Sequence, residues 1–137
     1  MKIKSITDYE QSRVLSEILP KDSADMHHFS IGEDVSGETK MIDFCEPYIE
    51  TQEPAWSLAA LIEILPAEIN EGTDNYARLE ITKGRVGYYR SFGAAFIMSC
   101  QKNMVDNCFN IILELNRRGL ISKTFSKENS EYENQLK

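Results

Sequence analysis

A chain of 137 residues, 42% hydrophobic and 27% charged, has the make-up of one globular domain. It is long enough to bury a core without a disulfide or a metal. Its net charge of −7 argues against a general nucleic-acid binder and against an anionic membrane surface.

Cys45, Cys100 and Cys108 form an odd set with no CxxC pair, which suits free thiols in a reducing, cytoplasmic setting. Met1 to Ile6 carries positive charge with no apolar core behind it, so no signal peptide is expected. No apolar run approaches the length that crosses a bilayer, so no membrane association is expected.

In chain order, Thr7-Asp8-Tyr9-Glu10 matches a capping box opening a helix with Val14, Leu15, Ile18 and Leu19 as its apolar stripe. That helix must stop before Pro20. Met26 to Ile31 predicts a short strand with His27, Phe29 and Ile31 on one face and His28 on the other. Gly32 to Thr39 is a solvated acidic turn, and Lys40 to Phe44 is a return strand.

The stretch from Pro54 to Pro66 is the centre of the chain. The spacing predicts a helix starting near Pro54 and ended by Pro66. One stripe holds Leu58, Leu61, Ile62 and Leu65; a second holds Trp56, Ala60 and Ile64. In a two-layer domain the second stripe stays partly exposed, which makes Trp56 a candidate for a homodimer or partner interface as well as for a core anchor.

Ala67 to Asn75 is an acidic loop. Tyr76 to Phe92 holds two alternating runs joined at Lys83-Gly84, which predicts a hairpin. Its register pairs Ile81 with Val86 and Leu79 with Tyr88 on one face. Thr82 and Arg85, Glu80 and Gly87, and Arg78 and Tyr89 pair on the other. Ala94 to Ser99 fits either a third strand or a helix. The last helix runs from about Asn103, its cap, to Arg118, with Val105, Cys108, Ile111, Ile112 and Leu115 as its buried stripe. Gly119 follows as a left-handed cap, with Leu120 folding onto Leu115.

The fold expected is α+β, a small antiparallel sheet against about three helices in the order α-β-β-α-β-β-(β)-α. Residues 1–121 form the domain and 122–137 a polar, flexible tail anchored mainly by Phe125. Glu17-Ile18-Leu19-Pro20 recurs as Glu63-Ile64-Leu65-Pro66, which allows either a tandem duplication or coincidence.

Four phrases carry a resemblance: Glu10-Gln11-Ser12, Ser23-Ala24-Asp25-Met26, Pro54-Ala55-Trp56-Ser57-Leu58, and Asn103-Met104-Val105-Asp106-Asn107-Cys108. Their spacing, over about residues 7–121, resembles small uncharacterised proteins encoded by phages and mobile elements of gut bacteria. A proline commonly follows the Asn103-like position in those proteins, where this chain has Met104. The resemblance implies a genomic context and no mechanism.

His27 and His28 are the only imidazoles, so a hydrolase-type site would use one of them with Asp25. Adjacent strand residues point to opposite faces, and no serine-nucleophile elbow accompanies them. Histidines and cysteines lack ligand spacing, so no metal is expected, and with no phosphate-binding glycine loop no cofactor is expected either.

The 76–92 hairpin carries four cations against Glu80, or +3, leaving −10 on the rest. Arg78, Arg85 and Tyr89 share its outward face, a candidate binding surface for a base or a carboxylate. Nucleic acid is nevertheless disfavoured by the overall charge. The residues therefore favour a non-catalytic module that binds another protein or itself. The alternatives are a small hydrolase using His27 or His28, or a nucleic-acid accessory protein using the hairpin.

Overall fold

The computed structural model describes residues 4–30, 39–42 and 53–121. The expectations for the acidic turn at 32–38, for Phe44 and Cys45, and for the tail at 122–137 lie outside those residues. The class is α+β: three helices and seven strands are described, the strands forming two antiparallel sheets rather than the one expected.

Helix α1 (Tyr9–Ile18) opens with a capping box one residue later than Thr7/Glu10. Asp8 Oδ1 accepts the Gln11 N–H at 2.8 Å, and Gln11 Oε1 accepts the Asp8 N–H at 3.2 Å. Thr7 is drawn inward instead. Its Oγ1 lies 2.8 Å from Ser12 Oγ and accepts the Trp56 N–H at 3.1 Å. Leu15 and Leu19 are buried, whereas Val14 faces solvent at 42% exposure, off the stripe assigned to it.

Strand β1 (Met26–Ser30) is the centre of a three-stranded sheet. It pairs with β2 (Thr39–Ile42) through His27↔Ile42 and with β3 (Glu53–Ala55) through Met26↔Ala55. Pro54 thus sits in an edge strand and does not start the central helix. An edge tolerates its missing N–H. Helix α2 (Leu58–Ile64) begins after Ser57, whose Oγ accepts the Ala60 N–H at 3.2 Å, and closes before Pro66 as predicted. Both Glu-Ile-Leu-Pro phrases end helices, at Ile18 and at Ile64.

The second sheet runs β4 (Glu68–Ile69), β5 (Ala77–Thr82), β6 (Arg85–Tyr89), β7 (Ala95–Ser99), each paired with the next. The β5–β6 hairpin adopts the five predicted pairs, from Thr82↔Arg85 to Arg78↔Tyr89. Gly84, at φ 84°, supplies the left-handed turn residue that a side chain would resist. The 94–99 ambiguity resolves as strand, with a register shift opposite Tyr88 and Tyr89 that leaves Phe96 as the extra residue.

Helix α3 (Met104–Arg117) starts at Asn103, whose Oδ1 accepts the Asp106 N–H at 2.8 Å. It ends in a Schellman motif: Leu120 N–H to Leu115 O at 2.8 Å and Gly119 N–H to Asn116 O at 3.0 Å. Its stripe of Val105, Cys108, Ile111, Ile112 and Leu115 is buried against β6, β7 and α2. With Trp56, Leu61, Val86 and Tyr88 these residues form the core.

Candidate functional site

Among the described residues the second sheet has two edges, β4 and β7, and they differ. β4 is two residues long, and its Glu68 accepts from Tyr76 at 2.8 Å and sits 3.8 Å from Arg78. In the first sheet, β3 carries Pro54 and β2 carries Lys40. Short strands, prolines and lysines are the usual guards against unwanted strand pairing. β7, Ala-Phe-Ile-Met-Ser, spans five residues with no charge and no proline. Among the described residues it has a neighbour on one side only.

The parity of the ladder fixes what that edge presents. A two-residue turn closes on a hydrogen-bonded pair, here Thr82 and Arg85. Alternation then turns the backbone groups of Val86 and Tyr88 toward β7, and those of their partners Ser99 and Ile97 toward β6. The bond from Arg90 N–H to Ala94 O, 2.9 Å, continues the same parity. The N–H and C=O of Met98 therefore point to the open side, and the Met98 side chain is 49% exposed.

Beside that edge lies an open groove of about 390 Å³, walled by Phe96 to Gln101 on one side and by Asn110, Ile111, Glu114 and Arg118 of the α3 region on the other. Asn107 holds the two walls together. Its Oδ1 accepts from Ser99 Oγ at 2.9 Å and from the Gln101 N–H, inside a fully buried side chain.

Cations gather at the Phe96 end. The guanidinium carbons of Arg90 and Arg118 lie 5.2 and 4.8 Å from the Phe96 ring centre. Arg117 and Arg118 both bond Glu114, holding its carboxyl down at about 2. Among the described residues Arg90 reaches the neutral Asn75 amide, at 3.2 Å, and its buried Nε has no hydrogen-bond partner.

The residues singled out from sequence do not converge on this groove. Trp56 is fully buried within the chain, its indole N–H donating to Ser23 Oγ at 3.0 Å, so the second stripe is covered at this point and Trp56 offers no surface to a partner. Arg78, Arg85 and Tyr89 do share the outer sheet face. Tyr89 is only 9% exposed, however, and the Arg85 guanidinium already lies 5.2 Å from its ring centre, so the ring does not stand open as a stacking platform.

Asp25 caps the entry to α2: one carboxylate oxygen accepts the Ser57 N–H at 2.8 Å and the other accepts the Ser57 hydroxyl. His27 is 2% exposed in β1. His28 pairs with Met41, and its side chain lies outside what is described. Burial pushes the Cys108 thiol up to about 11, which keeps it protonated and unreactive. No group of three or more His, Cys, Asp or Glu that could hold a metal occurs among the described residues. No helix among them is long and apolar enough to cross a membrane.

Sequence reasoning missed the groove, although part of its signal was present: an uncharged run before a helix ending in paired arginines. Comparison with protein-family models, curated proteins and solved structures finds no match to this chain.

Proposed function

We propose that this chain is a small non-catalytic protein-interaction module that adds an extended segment of a partner protein to β7. The observation that carries the reading is the five-residue edge, unguarded among the described residues, that borders a groove whose far wall is α3. Strand addition of this kind draws affinity from main-chain hydrogen bonds and selectivity from pockets for alternate side chains. Met98 supplies the outward backbone pair, and the groove between β7 and α3 receives the inward side chains. The setting in a phage or mobile element rests on the sequence resemblance alone.

The test uses random peptides of about eight residues, long enough to span a five-residue strand, displayed and panned against the full chain. The enriched sequences are then measured against Met98→Pro. Proline removes the outward N–H, and at an edge it costs no ladder bond to β6. The expected result is enrichment on the native chain, amide shifts centred on Met98 and Cys100, and loss of binding in Met98→Pro with an unchanged melting temperature. Peptides that bind Met98→Pro equally well, or shifts confined to other elements, would overturn the reading.

A further inference from the structure

The groove is not electrically neutral along its length. At its Phe96 end Glu114 and Arg118 line the wall, Arg117 also bonds Glu114, and Arg90 stacks on the Phe96 ring, three cations around one carboxylate on a chain of net charge −7. Glu114 is already shared by Arg117 and Arg118. Arg90 has no carboxylate partner among the described residues, and its Nε is buried without an acceptor. A buried donor left unmet is costly and is normally satisfied by some acceptor.

From this we infer that the occupant of the groove is an acidic segment of a partner protein, with one Asp or Glu side chain placed at the Phe96 end against Arg90 and Arg118. The inference rests on the strand-addition reading above and adds the partner's chemistry to it. Both guanidinium groups lie within 5.2 Å of the centre of one aromatic ring, which limits where they can move before any ligand arrives. The planar fork of one guanidinium offers a carboxylate two parallel N–H bonds, which Arg90, with no carboxylate among the described residues, is free to supply. Toward the Cys100 end the lining changes to Ser99, Gln101 and Asn110, neutral hydrogen-bonding groups with no preference for charge. The groove therefore has a polarity, and with it a direction in which the segment lies.

The probe is a set of blocked, alternating Thr-Val peptides of about eight residues, matched to the strand length, in which one terminal-half Thr is replaced by Glu, by Gln or by Lys. Affinity for the full-length chain is read by fluorescence anisotropy. The Glu peptide is expected to bind about tenfold tighter than its Gln counterpart in low salt, and the Lys peptide more weakly than either. The Glu preference should shrink as salt is raised to about 0.5 M, where charges more than a few ångström apart are screened.

Arg90→Gln should remove most of the preference of the Glu peptide over the Gln peptide, read as the ratio of the two affinities within the variant. Arg118→Gln, read in parallel, guards against a change peculiar to Arg90. Equal binding of the Glu and Gln peptides, with Met98 amide shifts intact, would overturn the acidic-partner inference and leave strand addition standing. An absence of binding by every peptide would overturn both. A Glu preference that survives in Arg90→Gln and in Arg118→Gln would place the recognising cation elsewhere and also overturn the inference.

Discussion

Asn107 is the residue on which the shape of the groove depends, and Asn107→Ala tests it. The side chain is fully buried, and its Oδ1 accepts from Ser99 Oγ and from the Gln101 N–H. Losing the two bonds costs about 1 kcal/mol each in net terms. The two donors then fare differently. Gln101 is exposed, so water can reach its N–H, whereas Ser99 is 6% exposed and its hydroxyl is left with the Asn110 amide, a donor at 3.2 Å. Orphaning that one group brings the total to about 2–3 kcal/mol. For a domain of this size the loss corresponds to a fall in melting temperature of about 8–15 °C. Scanning calorimetry and urea unfolding followed by circular dichroism read it directly. Asn107→Asp separates the hydrogen bonds from the volume. It keeps an acceptor but buries a charge, so its folded-state pKa lies above the unfolded one. Its penalty is therefore small at low pH and grows as pH rises past the ordinary carboxylate range. A loss below about 0.5 kcal/mol in Asn107→Ala, the level of an ordinary surface change, would refute the view that this amide ties β7 to α3.

Two further outcomes follow from close approaches elsewhere. In Gly87→Ala the new Cβ would lie 2.6 Å from the Ile97 carbonyl oxygen and 3.0 Å from Tyr89 Cε2, so the β6–β7 ladder must shift; a cost of about 1–3 kcal/mol is expected, and an unchanged denaturant midpoint would show that the strands have room. The Lys4 ammonium bridges Asp8 at 3.0 Å and Asp106 at 2.8 Å, joining the start of α1 to the start of α3. Burial pulls both carboxyls upward, but hydrogen bonds outweigh it and leave them below the ordinary 3.8: the Gln11 N–H and Lys4 at Asp8, and Lys4, Gln11 and Asn103 at Asp106. Their contribution is thus present above that value and is lost as pH falls through the lowered one. Lys4 itself is raised above 10.5, since its bonds to Asp106 and Asp8 overcome the opposing effect of burial, so its share persists below that value and is lost in more alkaline solution. Lys4→Met should flatten the acid limb of a stability–pH curve below about pH 4, and an unchanged slope there would mean that the bridge contributes nothing.

The parts of this fold that were legible in the sequence are those where local chemistry and tertiary packing agree. A two-residue Lys83-Gly84 turn admits one register, so the hairpin pairs follow from the residue pattern alone. Asn103 and Gly119 punctuate α3 at both ends, and its stripe has a single period. Where two residues could do one job, tertiary contacts chose between them. Thr7 and Asp8 both suit a cap, and Thr7 lost the role because its hydroxyl is needed by Ser12 and by the Trp56 N–H. Pro54 suits a first helical turn equally well as an edge strand, and pairing with His27 decided for the strand. The groove was not legible, because an edge is a property of sheet order. Nothing local in Ala95 to Ser99 says that no described strand pairs on its far side.

The basic end of the groove and the end of α3 have one physical origin. A helix C-terminus carries partial negative charge and favours cations in its last turn, which is where Arg117 and Arg118 stand. The left-handed Gly119, at φ 73°, then turns the chain so that Leu120 closes onto Leu115. This cap fixes the direction of the last turn, and with it the placement of Arg118 beside Phe96. The bulge in β7 brings Phe96 to the same place from the sheet side, because the extra residue there takes Phe96 out of the simple alternation of the strand. Two local irregularities, each explicable by the stability of its own element, thus meet at one ring. Neither needs a partner to exist. What distinguishes the site is that, among the described residues, Arg90 joins them without a carboxylate of its own, beside a strand edge that none of the usual guards protects. A chain of net charge −7 has acids in abundance to neutralise one arginine, and the described part of this one leaves Arg90 unmatched beside Phe96.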